Sequence, residues 1–260
     1  MFVLETAEAE AVWDYEVHAP AEVIERFGMA STRIGGGVVL AVRDDVTNYW
    51  SKALGFTEPV TAELVASITD FYRANNNPLA VLQFAPSALP ADWDEICAKE
   101  GLTAGSTWLK LSGPPVPREV ETSLRIAEVD DAEAWASALA EGFGMPPQLI
   151  VPMSMGVVGL PGWTTYGAFE GDQLVATAAM RIDGEVAAFA GASTLKEHRG
   201  KGAQSALLAA RIQKAFDAGV KVLSAETGKP DEGETNSSLN NMLRAGFEVS
   251  YERTNWIWRT

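Results

Sequence analysis

Only one cysteine, Cys97, stands in the sequence. No disulfide can therefore join two parts of the chain, and a lone thiol suits a reducing compartment. Histidine is nearly as scarce, with only His18 and His198, and no spacing of His, Cys or acids has the pattern of a metal site. Ser154 and Ser193 have no His or acid at a spacing that would make either a nucleophile. No apolar run approaches the roughly 20 residues of a membrane helix. The start carries Glu5, Glu8 and Glu10 and no base, unlike a secretory or mitochondrial leader. These absences lead us to expect a cytoplasmic protein with no metal and no membrane partner. Basic residues are short too: 20 Lys and Arg face 35 Asp and Glu, a net charge of −15. Both halves share the bias, with 17 acids against 8 bases in residues 1–120 and 18 against 12 in residues 121–260. Such a surface repels nucleic acid. It either favours a cationic acceptor or merely keeps the protein in solution.

What is present is an ordinary globular composition, 47% hydrophobic and 21% charged, in 260 residues that suffice for two domains. Pro114, Pro115 and Pro117 fit neither a helix interior nor a central strand, so residues 113–121 read as a linker between units 1–112 and 122–260. After it, Thr164–Phe169 and Leu174–Ile182 alternate as a hairpin across Glu170-Gly171-Asp172-Gln173. Val186–Ser193 is a strand of small residues. Leu207, Leu208, Ile212, Ala215 and Phe216 share one face of a helix over 203–218. A strand over 220–225, a helix over 236–245 and closing strands over 247–251 and 254–258 complete this half. The first half shows a strand over 38–42, a helix over 63–74, a strand over 79–84, a helix over 92–100 and a strand over 106–111. The two ends match in detail. Cys97–Leu102 parallels Met242–Phe247, each with a glycine stopping a helix, and a strand with a tryptophan follows each, Trp108 in Thr107-Trp108-Leu109 and Trp256 in Asn255-Trp256-Ile257. We infer an internal duplication of a mixed α/β unit.

The chemistry concentrates between Ser193 and the helix at Ala203. Gly200 and Gly202 allow backbone N–H groups to approach an anion. The helix start adds unpaired donors and a positive dipole end, Arg199 and Lys201 add charge, and Ser205 adds a hydroxyl. A diphosphate is the natural guest. His198, inside the loop, either touches that guest or merely occupies a turn.

The segment Arg199-Gly200-Lys201-Gly202-Ala203-Gln204 resembles the acetyl-CoA motif of the GNAT superfamily of N-acetyltransferases, Arg/Gln-x-x-Gly-x-Gly/Ala, with Gln204 departing at the last position. Leu207-Leu208 on the next helix, the order of elements, and Asn241 five residues before Gly246-Phe247 strengthen the likeness over residues 122–260. The first half matches in fold pattern only. Its counterpart segment, Ser51–Pro59, has one glycine, no arginine, and Glu58 to repel a phosphate. The resemblance implies a mixed α/β fold of two GNAT-like units in tandem, the first degenerate. It implies an acetyl-CoA-dependent N-acetyltransferase in which a small primary amine attacks the thioester directly.

By the same resemblance, Ala192, Ser193 and Thr194 supply the edge that pairs with the cofactor's arm, and Arg199 to Ser205 hold the diphosphate. Asn236 and Asn241 belong to the cofactor-binding set. Glu226, placed at the end of the 220–225 strand, is the candidate base, or else a solvated carboxylate. The family's tyrosine acid is replaced by Met242, leaving Tyr251 and Tyr166 as substitutes, or as strand tyrosines packing their rings; Tyr251 is the one carried forward. The Met- and Pro-rich stretch 142–163 reads either as an adaptable apolar wall for the acceptor or as core under a long loop. A protein lysine or N-terminal acetyltransferase and a non-catalytic acyl-CoA sensor are the rival readings, and the assembly is a monomer or a homodimer.

Overall fold

The structure, a computed structural model, describes residues 2–260. Its first half runs α1 (Phe2–Val17), α2 (Ala21–Phe27), β1 (Met29–Ile34), β2 (Gly37–Val42), β3 (Lys52–Leu54), α3 (Ala62–Ala74), β4 (Leu79–Gln83), α4 (Trp93–Glu100) and β5 (Thr103–Gly113). After an extra strand β6 (Arg125–Glu128), the second half repeats that order. It runs α5 (Ala132–Phe143), α6 (Pro147–Met155), β7 (Trp163–Glu170), β8 (Gln173–Asp183), β9 (Val186–Thr194), α7 (Ala203–Asp217), β10 (Val222–Gly228), α8 (Ser237–Arg244) and β11 (Glu248–Arg259). The duplication therefore extends to the leading helix pair, for which the sequence pattern gives no sign.

Among the described residues all eleven strands join one mixed sheet, in the order β1-β2-β3-β4-β11-β5-β10-β9-β8-β7-β6. The two closing strands have changed places. β11 pairs antiparallel with β4 of the first half, and β5 pairs antiparallel with β10 of the second. They also pair with each other at the sheet centre. The exchange reaches the cores. Trp258 is buried with Val65, Ile68, Tyr72 and Leu82 beneath α3 and α4, stacked on Tyr72 at 5.7 Å between ring centres. Leu109 and Leu111 of β5 are buried with Leu208, Ile212 and Leu223 beneath α7 and α8.

Helices cover both faces, which explains the apolar run of β2. Val38, Leu40 and Val42 pack under α1, α2, α5 and α6, whereas Val39 and Ala41 pack under α3 and α4. Two readings change here. The two expected closing strands are one continuous β11, with register shifts between Val249 and Tyr251 and between Thr254 and Trp256. The 142–163 stretch is no long loop. Pro146 and Pro147 open α6, because proline tolerates a helix start, and Leu149, Ile150, Met153 and Trp163 are buried in the core.

Candidate active site

β9 and β10 run parallel but are paired only at their beginnings, Val222 with Val186, Leu223 with Ala187 and Ser224 with Ala188. Beyond Ala188 the ladder stops. β9 then carries a bulge where Gly191 and Ala192 oppose Ala178, and continues to Thr194 held by β8 alone. The result is a fork whose β9 edge, including Ala192, Ser193 and Thr194, has no strand on its inner side. A short 3-10 turn, Lys196–His198, leads from it to Gly200 and Gly202, at φ 78° and 80°. That left-handed backbone is one that glycine adopts freely. No side chain caps α7, so the N–H groups of its first turn keep their donor capacity. A Cβ at either glycine would meet no atom within 4 Å, which leaves the cradle open.

The side chains around the loop are mostly braces. The Arg199 guanidinium donates to the Gly142 and Thr194 carbonyls at 2.8 and 3.2 Å, fixing the loop against the end of α5. Lys201 and His198 both pair with Glu170 on β7, and these bonds hold the Glu170 carboxyl below its usual range. Gln204 donates to the Ser193 carbonyl at 2.8 Å and to the Thr194 hydroxyl at 3.1 Å. The departure from the motif thus ties α7 to the end of β9. Asn236 caps α8 through Leu239 N–H and donates to the Gly228 carbonyl. Ser205 and Asn241 face each other across a groove of about 200 Å³ between α7 and α8, walled on its outer side by Arg118, Glu119 and Val120 of the linker.

Glu226 lies within β10, two residues past the last pair of the fork, and its side chain keeps 14% exposure. It is not a solvated strand-end carboxylate. Its neighbours on the sheet are Lys110 and, one strand further, Tyr251. Arg253 donates to Glu226 at 2.8 Å, to Glu5 at 2.6 Å and to both oxygens of Glu8 at 2.8 and 2.9 Å. Lys110 pairs with Glu8, and the Tyr251 hydroxyl donates to Glu5. The Lys52 ammonium lies 3.5 Å from the centre of the Tyr49 ring. Burial, reinforced by the Glu8 charge, pushes the Glu226 carboxyl up to about 7. Burial and the Glu5 carboxylate push the Tyr251 phenol well above its ordinary range.

The fold as a whole has counterparts among solved structures. The chain is similar to a GCN5-related N-acetyltransferase from Kribbella flavida at 19% identity and TM-score 0.62, covering 94% of this chain and 95% of that one. It is similar at 16% identity and TM-score 0.58 to a GCN5-related N-acetyltransferase from Sphaerobacter thermophilus, covering 98% and 90%. A tandem GNAT protein from the clavulanic acid biosynthesis pathway aligns over 98% of this chain and 96% of its own, at 15% identity and TM-score 0.58. No curated protein sequence matches the chain closely. Residues 147–236, which hold the fork, the loop and Glu226, match the model of the Acetyltransferase (GNAT) family. That segment carries the GNAT family pattern, and the chain as a whole has the fold of GNAT proteins.

Within this GNAT fold the structure brings the sequence-predicted residues together in two groups. Ala192 to Ser205, with Asn241, line the fork, the loop and the groove. Glu226 and Tyr251 sit in the ion cluster. Asn236 shapes the start of α8 and bonds only within the protein. Sequence reasoning missed Glu5, Glu8, Lys110 and Arg253. The signal available was a basic residue on each closing strand, near each repeated tryptophan, and three glutamates in one helix-forming stretch. No helix among the described residues is long and apolar enough to cross a membrane.

Proposed function

We propose that the chain is an N-acetyltransferase carrying the acetyl group of acetyl-CoA to the primary amine of a small molecule. The observation that carries this reading is the continuity of the open β9 edge with the two glycine turns and the uncapped start of α7. The β9 edge offers backbone partners to the amides of a pantetheine arm and an N–H for the oxyanion that develops on the thioester. The N–H groups of residues 200–205 and the dipole of α7 suit a diphosphate. Lys201 joins them by exchanging Glu170 for the phosphate, while Arg199 keeps the loop in shape. Ser205 and Asn241 line the groove for the nucleotide end, and Asn236 sets the angle of α8. When bound, acetyl-CoA supplies an activated thioester.

An amine is protonated at neutral pH and must lose that proton before it attacks. Glu226, at the mouth of the fork and poised near neutrality, takes it. Tyr251 is the candidate for returning a proton to the departing thiolate. Its bond to Glu5 and its weak acidity make it a poor donor, so Tyr251→Phe is expected to cost less activity than Glu226→Gln. We read residues 1–112 as a degenerate unit, 113–121 as the linker and 122–260 as the transferase unit. We place the protein in the cytoplasm, where the Cys97 thiol stays reduced, as a monomer or a homodimer. The acidic composition favours a cationic amine.

Titration calorimetry with acetyl-CoA is the test. One site per chain, lost in the Arg199→Ala, Gly202→Glu double variant, is expected, followed by thiol release with amines and a loss of about 10²–10⁴-fold in Glu226→Gln. Two sites would mean that the first half still binds the donor. Binding without thiol release from any amine or peptide would favour a sensor, the reading that Met242, at the place of the family's tyrosine, supports. No binding at all would overturn the proposal.

A further inference from the structure

We propose that Glu8, on the first helix of the half that lacks a phosphate loop, is the positioning residue for Glu226, and that through it the first half governs when the base of the second half accepts a proton. The inference rests on the reading of Glu226 as the base. Its ground is geometric. One guanidinium nitrogen of Arg253 donates to both carboxylates, at 2.8 and 2.9 Å to Glu8 and 2.8 Å to Glu226. The two carboxyls are thus held around a single nitrogen. Two carboxylates in one buried site resist ionising together, so the second gives up its proton only at a higher pH than the first. The fixed charges decide which comes second.

Burial alone would raise Glu8, but Arg253 and then Lys110 outweigh it and hold its carboxyl well below the usual range. Glu8 therefore stays ionised and its charge falls on Glu226, the more open of the two. The other groups facing Glu226 are Lys52 from β3, whose ammonium favours ionisation, and Tyr49 just before it. Lys110 from β5 and Arg253 with Tyr251 from β11 complete the surround. Of these only Glu8 supplies a negative charge in direct reach, and α1 carries it across from the other half. A merely structural Glu8 would stiffen the cluster without deciding the proton's place.

The experiment compares the acid limb of the thiol-release rate in the unaltered chain, Glu8→Gln and Glu8→Asp, alongside a titration of the Glu226 carboxyl by ¹³C-glutamate NMR, assigned with Glu226→Gln. The limb is expected near pH 7 in the unaltered chain and Glu8→Asp, and at lower pH in Glu8→Gln. The rate at low pH, relative to its plateau, should rise about tenfold for each unit the limb moves. A limb that stays near 7 in Glu8→Gln overturns the inference. The NMR titration of the unaltered chain needs no change at Glu8. A Glu226 carboxyl titrating there in the ordinary glutamate range overturns the inference even if Glu8→Gln does not fold. Full activity in Glu226→Gln would sink the base reading instead, while the shift of the Glu226 carboxyl on replacing Glu8 would still be read by NMR.

Discussion

The two halves place a helix start at the same point of the same fold and finish it in opposite ways. In the first half Thr61 caps α3 with its own hydroxyl, accepting from Leu64 N–H at 3.2 Å. Pro59 contributes no donor, and the buried Phe56 and Val60 fill the turn. In the second half α7 has no side-chain cap, and the loop before it packs nothing against its glycines. One start is self-satisfied and the other keeps its donors open. A helix end that meets its own needs adds stability; one that does not is available for binding. The duplicated unit kept one end for each purpose.

The sharpest way to break this comparison is to end the chain before β11. Both halves are expected to lose their sheet contacts together, and the cooperative melt followed by circular dichroism should vanish. A surviving half-size transition would mean that the units fold independently of the exchange. Trp258→Ala comes next. It leaves a cavity in the core of the first half although the residue belongs to the last strand, and about 3–5 kcal/mol should be lost in urea unfolding. Gly202→Glu places a side chain at φ 80° and an anion in the open cradle. Affinity for acetyl-CoA should fall roughly a hundredfold, about 2.7 kcal/mol, more than the roughly 1–2 kcal/mol of stability that a side chain at this left-handed position costs. Thr61→Ala, at the matching position, should do the reverse, losing about 1 kcal/mol of stability with acetyl-CoA affinity intact. Smallest is Lys201→Met. Its exposed pair with Glu170 contributes at most about 1 kcal/mol to stability, so melting should hardly move, whereas acetyl-CoA affinity should weaken and lose part of its salt dependence.

How far the sequence reveals this molecule follows from the range of each interaction. The loop before α7 is legible because its determinants are local: two glycines, two bases and a helix start within seven residues. The duplication is legible because helix, glycine, strand and tryptophan recur in one order. The strand exchange is hidden by that same recurrence, since β5 and β11 carry the same pattern and either would suit either slot. α1 is hidden for another reason. Glu5, Glu8 and Glu16 are turned into the protein, where the hydrophobic rule expects apolar residues. The partners of Glu5 and Glu8, Lys110 and Arg253, lie more than a hundred residues away. Glu226 is found by its place beside the fork, but its surroundings come from four other elements. α6 is disguised by its prolines, two of which open the helix and one of which, Pro152, lies inside it.

The exchange of β5 and β11 also bears on how the chain is made. While a ribosome is still extending it, β4 and β5 each show an open edge, and the strand that will lie between them is the last to emerge. Neither core can close until residues 248–259 have left the exit tunnel, because Trp258 completes one and the sheet beside β5 is unfinished without its neighbour. Open strand edges invite pairing with other chains. From the emergence of β4 and β5 until that of β11, the nascent protein thus carries two adhesive edges at the centre of its future sheet, and both are sealed in a single step.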